Sequence, residues 1–109
     1  MSLNLYAYLD VAPSLDDMRA TLAGVGLVYR YTLPADSRWD YPMHVFGRGG
    51  LRVVYHAGDP QHSEAMVDSS YPQESQQSWV DIQLVLTTLV RRYGGTICDP
   101  RMIRRGAIL

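Results

Sequence analysis

The sequence has no lysine, one cysteine, one phenylalanine and no apolar run long enough to cross a membrane. Each absence excludes something. The lone cysteine, Cys98, cannot pair within the chain, and no basic, apolar leader follows Met1-Ser2-Leu3-Asn4, which together point to a reducing cytoplasm. A membrane span takes about 18 or more apolar residues, so no membrane role is expected. With a formal net charge of −1 and no Lys, the chain lacks a global positive field that would gather nucleic acid, and no nucleic-acid partner is expected. With 109 residues, 47% of them hydrophobic, one domain spanning residues 1–109 is expected to hold a single core without metal or disulfide staples.

All ten basic residues are Arg, and nine of the eleven acids are Asp. Codon usage in a GC-rich bacterial genome explains this bias without function. The alternative is selection of planar Arg forks for phosphate or carboxylate recognition. Only a local Arg cluster could serve that purpose here.

Periodicity sets out the elements. Residues 3–11 alternate Leu3, Leu5, Ala7, Leu9 and Val11 against Tyr6, Tyr8 and Asp10, the pattern of a half-buried strand. Pro13-Ser14 opens a short helix: Ser14 can accept from the backbone near Asp17, while Asp16 and Asp17 suit the helix dipole. Leu15, Met18 and Leu22 form its apolar stripe, and Gly24 is expected to end it in a left-handed turn. Residues 27–33 read as a second strand, with Leu27, Tyr29, Tyr31 and Leu33 on one side. A proline-bounded loop over 34–42, carrying Trp39, follows.

The runs 43–46 and 51–57 around Gly47-Arg48-Gly49-Gly50 predict a β-hairpin. With Gly47 facing Gly50, His44, Phe46, Leu51, Val53 and Tyr55 share one face, and Met43, Val45, Arg52, Val54 and His56 share the other. Which face is core stays open. Residues 58–78 are polar, with 64–71 a candidate edge strand. From Ser75 or Ser78 to Tyr93 a long amphipathic helix is expected, with Trp79, Ile82, Leu86, Leu89, Val90 and Tyr93 on one side. Gly94-Gly95 stops it, and Thr96-Ile97-Cys98 forms a last strand. The expected fold is α+β: a mainly antiparallel sheet of four to six strands with two helices on one face, on a ferredoxin-like, split βαβ plan.

No catalytic set assembles. The glycine-rich turn joins two strands and lacks the Lys-Ser/Thr of a phosphate-binding loop. His44, His56 and His62, with Cys98 or Asp59, follow no metal-ligand spacing, and the hairpin register sends His44 and His56 to opposite faces. No metal and no cofactor are expected. Cys98, on a short strand beside Ile97, reads as a small hydrophobe. Asp59, Asp68 and Asp99 fit turn duty better than acid–base chemistry.

Tyrosine is abundant, eight residues against one Phe. Tyr6 and Tyr8 share the face opposite the Leu series, and Tyr41, Arg52 and His56 are candidates to join them. Tyr, Trp and Arg offer large contact area with polar handles and are enriched in binding hot spots. The candidate partner-binding residues are therefore Tyr6, Tyr8, Trp39, Tyr41, Arg48, Arg52 and His56. Aromatics on an open sheet also serve RNA-binding modules of this plan, but no string of the type Lys/Arg-Gly-Phe/Tyr occurs. On the long helix Val80 and Leu84 face away from the core stripe, a candidate homodimer seam.

The segment Val90-Arg91-Arg92-Tyr93-Gly94-Gly95-Thr96-Ile97-Cys98-Asp99-Pro100 resembles the helix, Gly-Gly, strand, Asp-Pro ending of small bacterial α+β proteins, immunity proteins of toxin systems among them. The resemblance spans about a tenth of the chain and transfers no catalytic residue. It implies a bacterial, non-enzymatic partner protein that covers another protein's active site. The residue pattern itself leaves two functions open. One is a protein-binding domain, toxin-neutralising or regulatory. The other is a ferredoxin-like dimer, binding or transforming a small molecule, with a pocket containing His44 or His56.

Overall fold

The structure, a computed structural model, describes residues 2–36, 41–57 and 65–99. Its elements follow the order β1 (Leu3–Leu9), α1 (Leu15–Ala23), β2 (Val28–Leu33), β3 (Met43–Arg48), β4 (Leu51–Ala57), β5 (Ala65–Tyr71), α2 (Gln76–Tyr93) and β6 (Gly95–Cys98). Six strands form one sheet in the order β2-β3-β4-β5-β1-β6, with every neighbouring pair antiparallel. The fold is thus α+β with an open antiparallel sheet and two helices. Among the described residues no helix is long and apolar enough to cross a membrane.

The strand order does not confirm the ferredoxin-like plan. The unit β5-α2-β6 straddles one strand, β1, whereas β1-α1-β2 straddles three, because α1 leads to β2 at the far edge and β2 to β5 run as a meander back to β1. The segment expected as an edge strand is also corrected. β5 lies inside the sheet, paired on both sides by β4 and β1. Its inward residues are small, Ala65, Val67 and Ser69, which lets α2 approach closely, and the buried Ser69 hydroxyl donates to the carbonyl of Leu5 at 3.2 Å. Polar composition hid a central strand.

Both helices begin as their capping residues dictate. Ser14 accepts from the Asp17 amide at 3.1 Å, and Ser75 exchanges hydrogen bonds with Ser78 in a reciprocal capping box. Gly24 does not end α1 in a left-handed turn; it stays right-handed, and the positive φ of +83° falls at Gly26. Met18 and Leu22 of α1 and Ile82, Val85, Leu86 and Leu89 of α2 sink onto Leu3, Leu5, Leu9, Phe46, Leu51, Val53 and Tyr55. Each such side chain, fully removed from water, contributes about 1.5–3 kcal/mol. The helices are tied together by Tyr93, which donates to the Asp17 carboxylate, and by Arg92, 3.2 Å from the same group.

The hairpin register differs from expectation by two residues. Gly47 faces Arg52 and Arg48 faces Leu51, leaving Gly49-Gly50 as the turn, with Gly49 at φ +54°. A shift of two preserves side-chain parity, so the two expected faces stand. The helices cover the face of Phe46, Leu51, Val53 and Tyr55, which is the core.

β2 also departs from simple alternation. A bulge between Tyr29 and Tyr31 makes Arg30 the extra residue, so Tyr29 and Thr32 face the helices while Val28, Tyr31 and Leu33 take the other side. A bulge on an edge strand blunts pairing with foreign strands.

Candidate functional site

One face of the sheet carries no helix among the described residues, and strand pairing fixes what stands on it. Tyr6 and Tyr8 of β1 lie beside Asp68 and Met66 of β5, and these lie beside Val54 and His56 of β4. Arg52 stands opposite Gly47 and Ser70 on the same side. The Tyr6 and Tyr8 rings meet edge to face at 5.4 Å. Tyr41, just before β3, packs its ring against His56 at 5.8 Å, so it belongs to this face as well. Five of the seven expected residues are therefore brought together: Tyr6, Tyr8, Tyr41, Arg52 and His56.

Arg48 is not among them. It lies on the helix side, where one guanidinium nitrogen donates to the carbonyl of Val25 at 3.0 Å and another sits 3.5 Å from the Asp81 carboxylate. Arg48 and Arg52 do not share a face, because Arg48 stands opposite Leu51 and Arg52, the next residue along β4, points to the other side of the sheet. Trp39, His62 and Asp59 lie outside the described residues. Tyr6 and Tyr8 are half-buried, while Tyr41 and His56 are buried.

Sequence reasoning missed Asp68. Its residue type suits a turn, yet it occupies the centre of the face, between Tyr6 and Val54. Its Oδ1 is shut off from solvent and, among the described residues, has no hydrogen-bond partner. Burial pushes its carboxyl above the usual range, a rise opposed by the charge of Arg52. The alternation of β5, once 64–71 is read as a strand, was the available signal. Cys98 faces the same side as its cross-strand neighbour Tyr6, not the core; Ile97, opposite Ala7, takes the inward position. Burial raises the Cys98 thiol, so the unreactive form predominates.

On the helix side the Nδ1 atom of His44 lies 2.8 Å from the Thr32 hydroxyl, which in turn lies 2.5 Å from the phenol of Tyr29. The Arg19 guanidinium covers the Tyr29 ring at 4.7 Å. Burial lowers the His44 pKa and favours the neutral ring. His44 and His56 stand on opposite faces and cannot share a ligand. Among the described residues no group of three or more His, Cys, Asp or Glu is placed to hold a metal ion.

Val80 and Leu84 are exposed, at 54% and 50%, one turn apart on the outer side of α2. Val28, Tyr31 and Leu33 add exposed apolar surface at the β2 edge. No family model, no curated protein and no solved structure matches the chain.

Proposed function

We propose that this chain is a protein-binding domain whose recognition surface is the sheet face opposite α1 and α2. A single observation carries the reading: strand register gathers Tyr6, Tyr8, Arg52 and His56 on one face, with Tyr41 packed on His56. Residue types enriched in hot spots are concentrated where neither helix intervenes. The largest buried side chains, Tyr55 and Phe46 among them, lie on the helix side, while Tyr6 and Tyr8 stay half-exposed and Arg52 exposed on the opposite face.

In its narrower form the reading is that of a bacterial immunity or regulatory protein acting in the cytoplasm, with the face laid over a partner's active site. The similarity of the α2, Gly94-Gly95, β6 ending to such proteins supports it, and a rigid sheet is a scaffold suited to occluding a cleft.

The test is co-expression with the product of the adjacent gene, reading growth protection and co-purification. Wild type should protect and co-purify. The variant Tyr6→Ala/Tyr8→Ala/Arg52→Ala, checked for folding by circular dichroism, should do neither. Equal protection and recovery by the triple variant would remove the face from function.

A further inference from the structure

The centre of that face holds a feature that folding does not call for. A strand position flanked by Tyr6 and Val54 favours a β-branched or aromatic residue, and Asp is among the residues depleted in strands. Position 68 nevertheless presents a carboxylate whose Oδ1 is buried without a hydrogen bond among the described residues. An unpaired buried carboxylate oxygen costs stability, and such groups in folded proteins call for a compensating partner. Among the described residues no ion pair reaches it: Arg52, the cation whose field acts on it, stands exposed at the next outward position of β4 and forms no salt bridge.

What surrounds the carboxylate narrows the chemistry. Tyr6 is directly across on β1, Tyr8 lies next along that strand with its ring against Tyr6, and Met66 and Val54 complete an apolar setting. A carboxylate beside two aromatic rings attracts a cation twice, through charge pairing and through the ring faces, while the apolar frame accommodates an aliphatic stem. An anionic or purely apolar group would leave the charge of the carboxylate uncompensated.

We infer that the face recognises its partner through a basic side chain, Arg or Lys within an apolar segment, pairing with the part of the half-buried Asp68 carboxylate that solvent still reaches, beside Tyr6 and Tyr8. This rests on the protein-binding reading above and adds the partner's chemistry to it. Arg52, off to one side, then discourages a second cation and sets where on the face the basic group lands.

The experiment is selection of a displayed random peptide library on the full chain, followed by calorimetry of the selected peptides against wild type, Asp68→Asn and Tyr6→Ala/Tyr8→Ala. Asn preserves shape and removes charge, so Asp68→Asn should fold with unchanged or higher Tm. Selected peptides should carry Arg or Lys beside apolar residues. Affinity should fall at least about 10-fold for Asp68→Asn, the scale of losing one partner of a buried charge pair. Replacing the peptide's Arg by neutral citrulline should cost wild type that factor and cost Asp68→Asn little.

Peptides without a basic excess, or equal affinity for wild type and Asp68→Asn, would overturn the inference. If binding then still collapses in Tyr6→Ala/Tyr8→Ala, the face remains the recognition surface and only its cation preference is wrong. No selected binder, or binding indifferent to all three positions, removes both readings.

Discussion

The hydroxyl of Tyr55, on a central strand, donates a 2.6 Å hydrogen bond to the carbonyl of Pro13, pinning the turn between β1 and α1 to the core. The ring is fully buried, so that hydroxyl is the one polar atom β4 extends into the helix-covered side at this point. The bond ties the start of α1 to the sheet on which it packs.

Tyr55→Phe should lower unfolding stability by about 1 kcal/mol in urea titration, with the fold retained. Burial pushes the Tyr55 pKa up to about 12, against 10 in an unfolded chain. Its protonated form therefore favours the fold below pH 10, and that contribution is lost as pH rises from 10 to 12. Alkaline titration followed by tyrosinate absorbance should show one phenol ionising only as the chain unfolds, and that phase should vanish in Tyr55→Phe.

Arg48 acts as a brace, not a recognition residue. Its bond to the Val25 carbonyl and its 3.5 Å approach to Asp81 join the hairpin to the end of α1 and the start of α2. Arg48→Ala should cost about 1–2 kcal/mol and leave partner binding intact. A double-mutant cycle with Asp81→Asn should give coupling below about 1 kcal/mol, since the Arg48 side chain is 39% exposed. Loss of binding with full stability would place Arg48 at the interface instead.

Glycine positions separate sharply. Gly95 has φ +142°, and a Cβ there would land on the backbone carbonyl of Tyr8. Gly95→Ala should therefore detach β6 from β1 and cost more than about 3 kcal/mol. At Gly49, φ is +54° with open space around it, so Gly49→Ala should cost only about 1–2 kcal/mol. Similar urea midpoints for the two variants would contradict this packing of β6.

Asp17 should govern part of the acid response. The hydrogen bond from Tyr93, then that from Arg92, holds its carboxyl below the usual value of 3.8. Because the folded pKa is depressed, the contribution is present above about pH 4 and lost as pH falls through the folded value. Asp17→Asn should lose stability at pH 7 and show a flatter decline between pH 4 and 2 than wild type.

Much of this was legible along the chain, for reasons particular to each element. Ser14 and Ser75 announced the helix starts because capping is settled within four residues. The alternation of β1 separated Tyr6 and Tyr8 from the Leu series, and hairpin parity separated His44 from His56. The site was less legible. Asp68 sits in a strand whose inward residues are Ala, Val and Ser, too weakly apolar to mark a period of two. At β2 the bulge at Arg30 reversed the phase, so Tyr29 and Tyr31, two residues apart, face opposite ways.

From the sequence alone came the local elements, their caps and the side-chain parity within each strand, since these depend on neighbours within a few residues. Only the tertiary structure decided which strands touch. Placing β5 between β4 and β1, and sending β2 to the far edge, buries the apolar faces of six strands under two helices at once. That is a property of the whole core, which no local pattern encodes. The same choice set Asp68 between Tyr6 and Val54 and turned separate polar and aromatic residues into one surface.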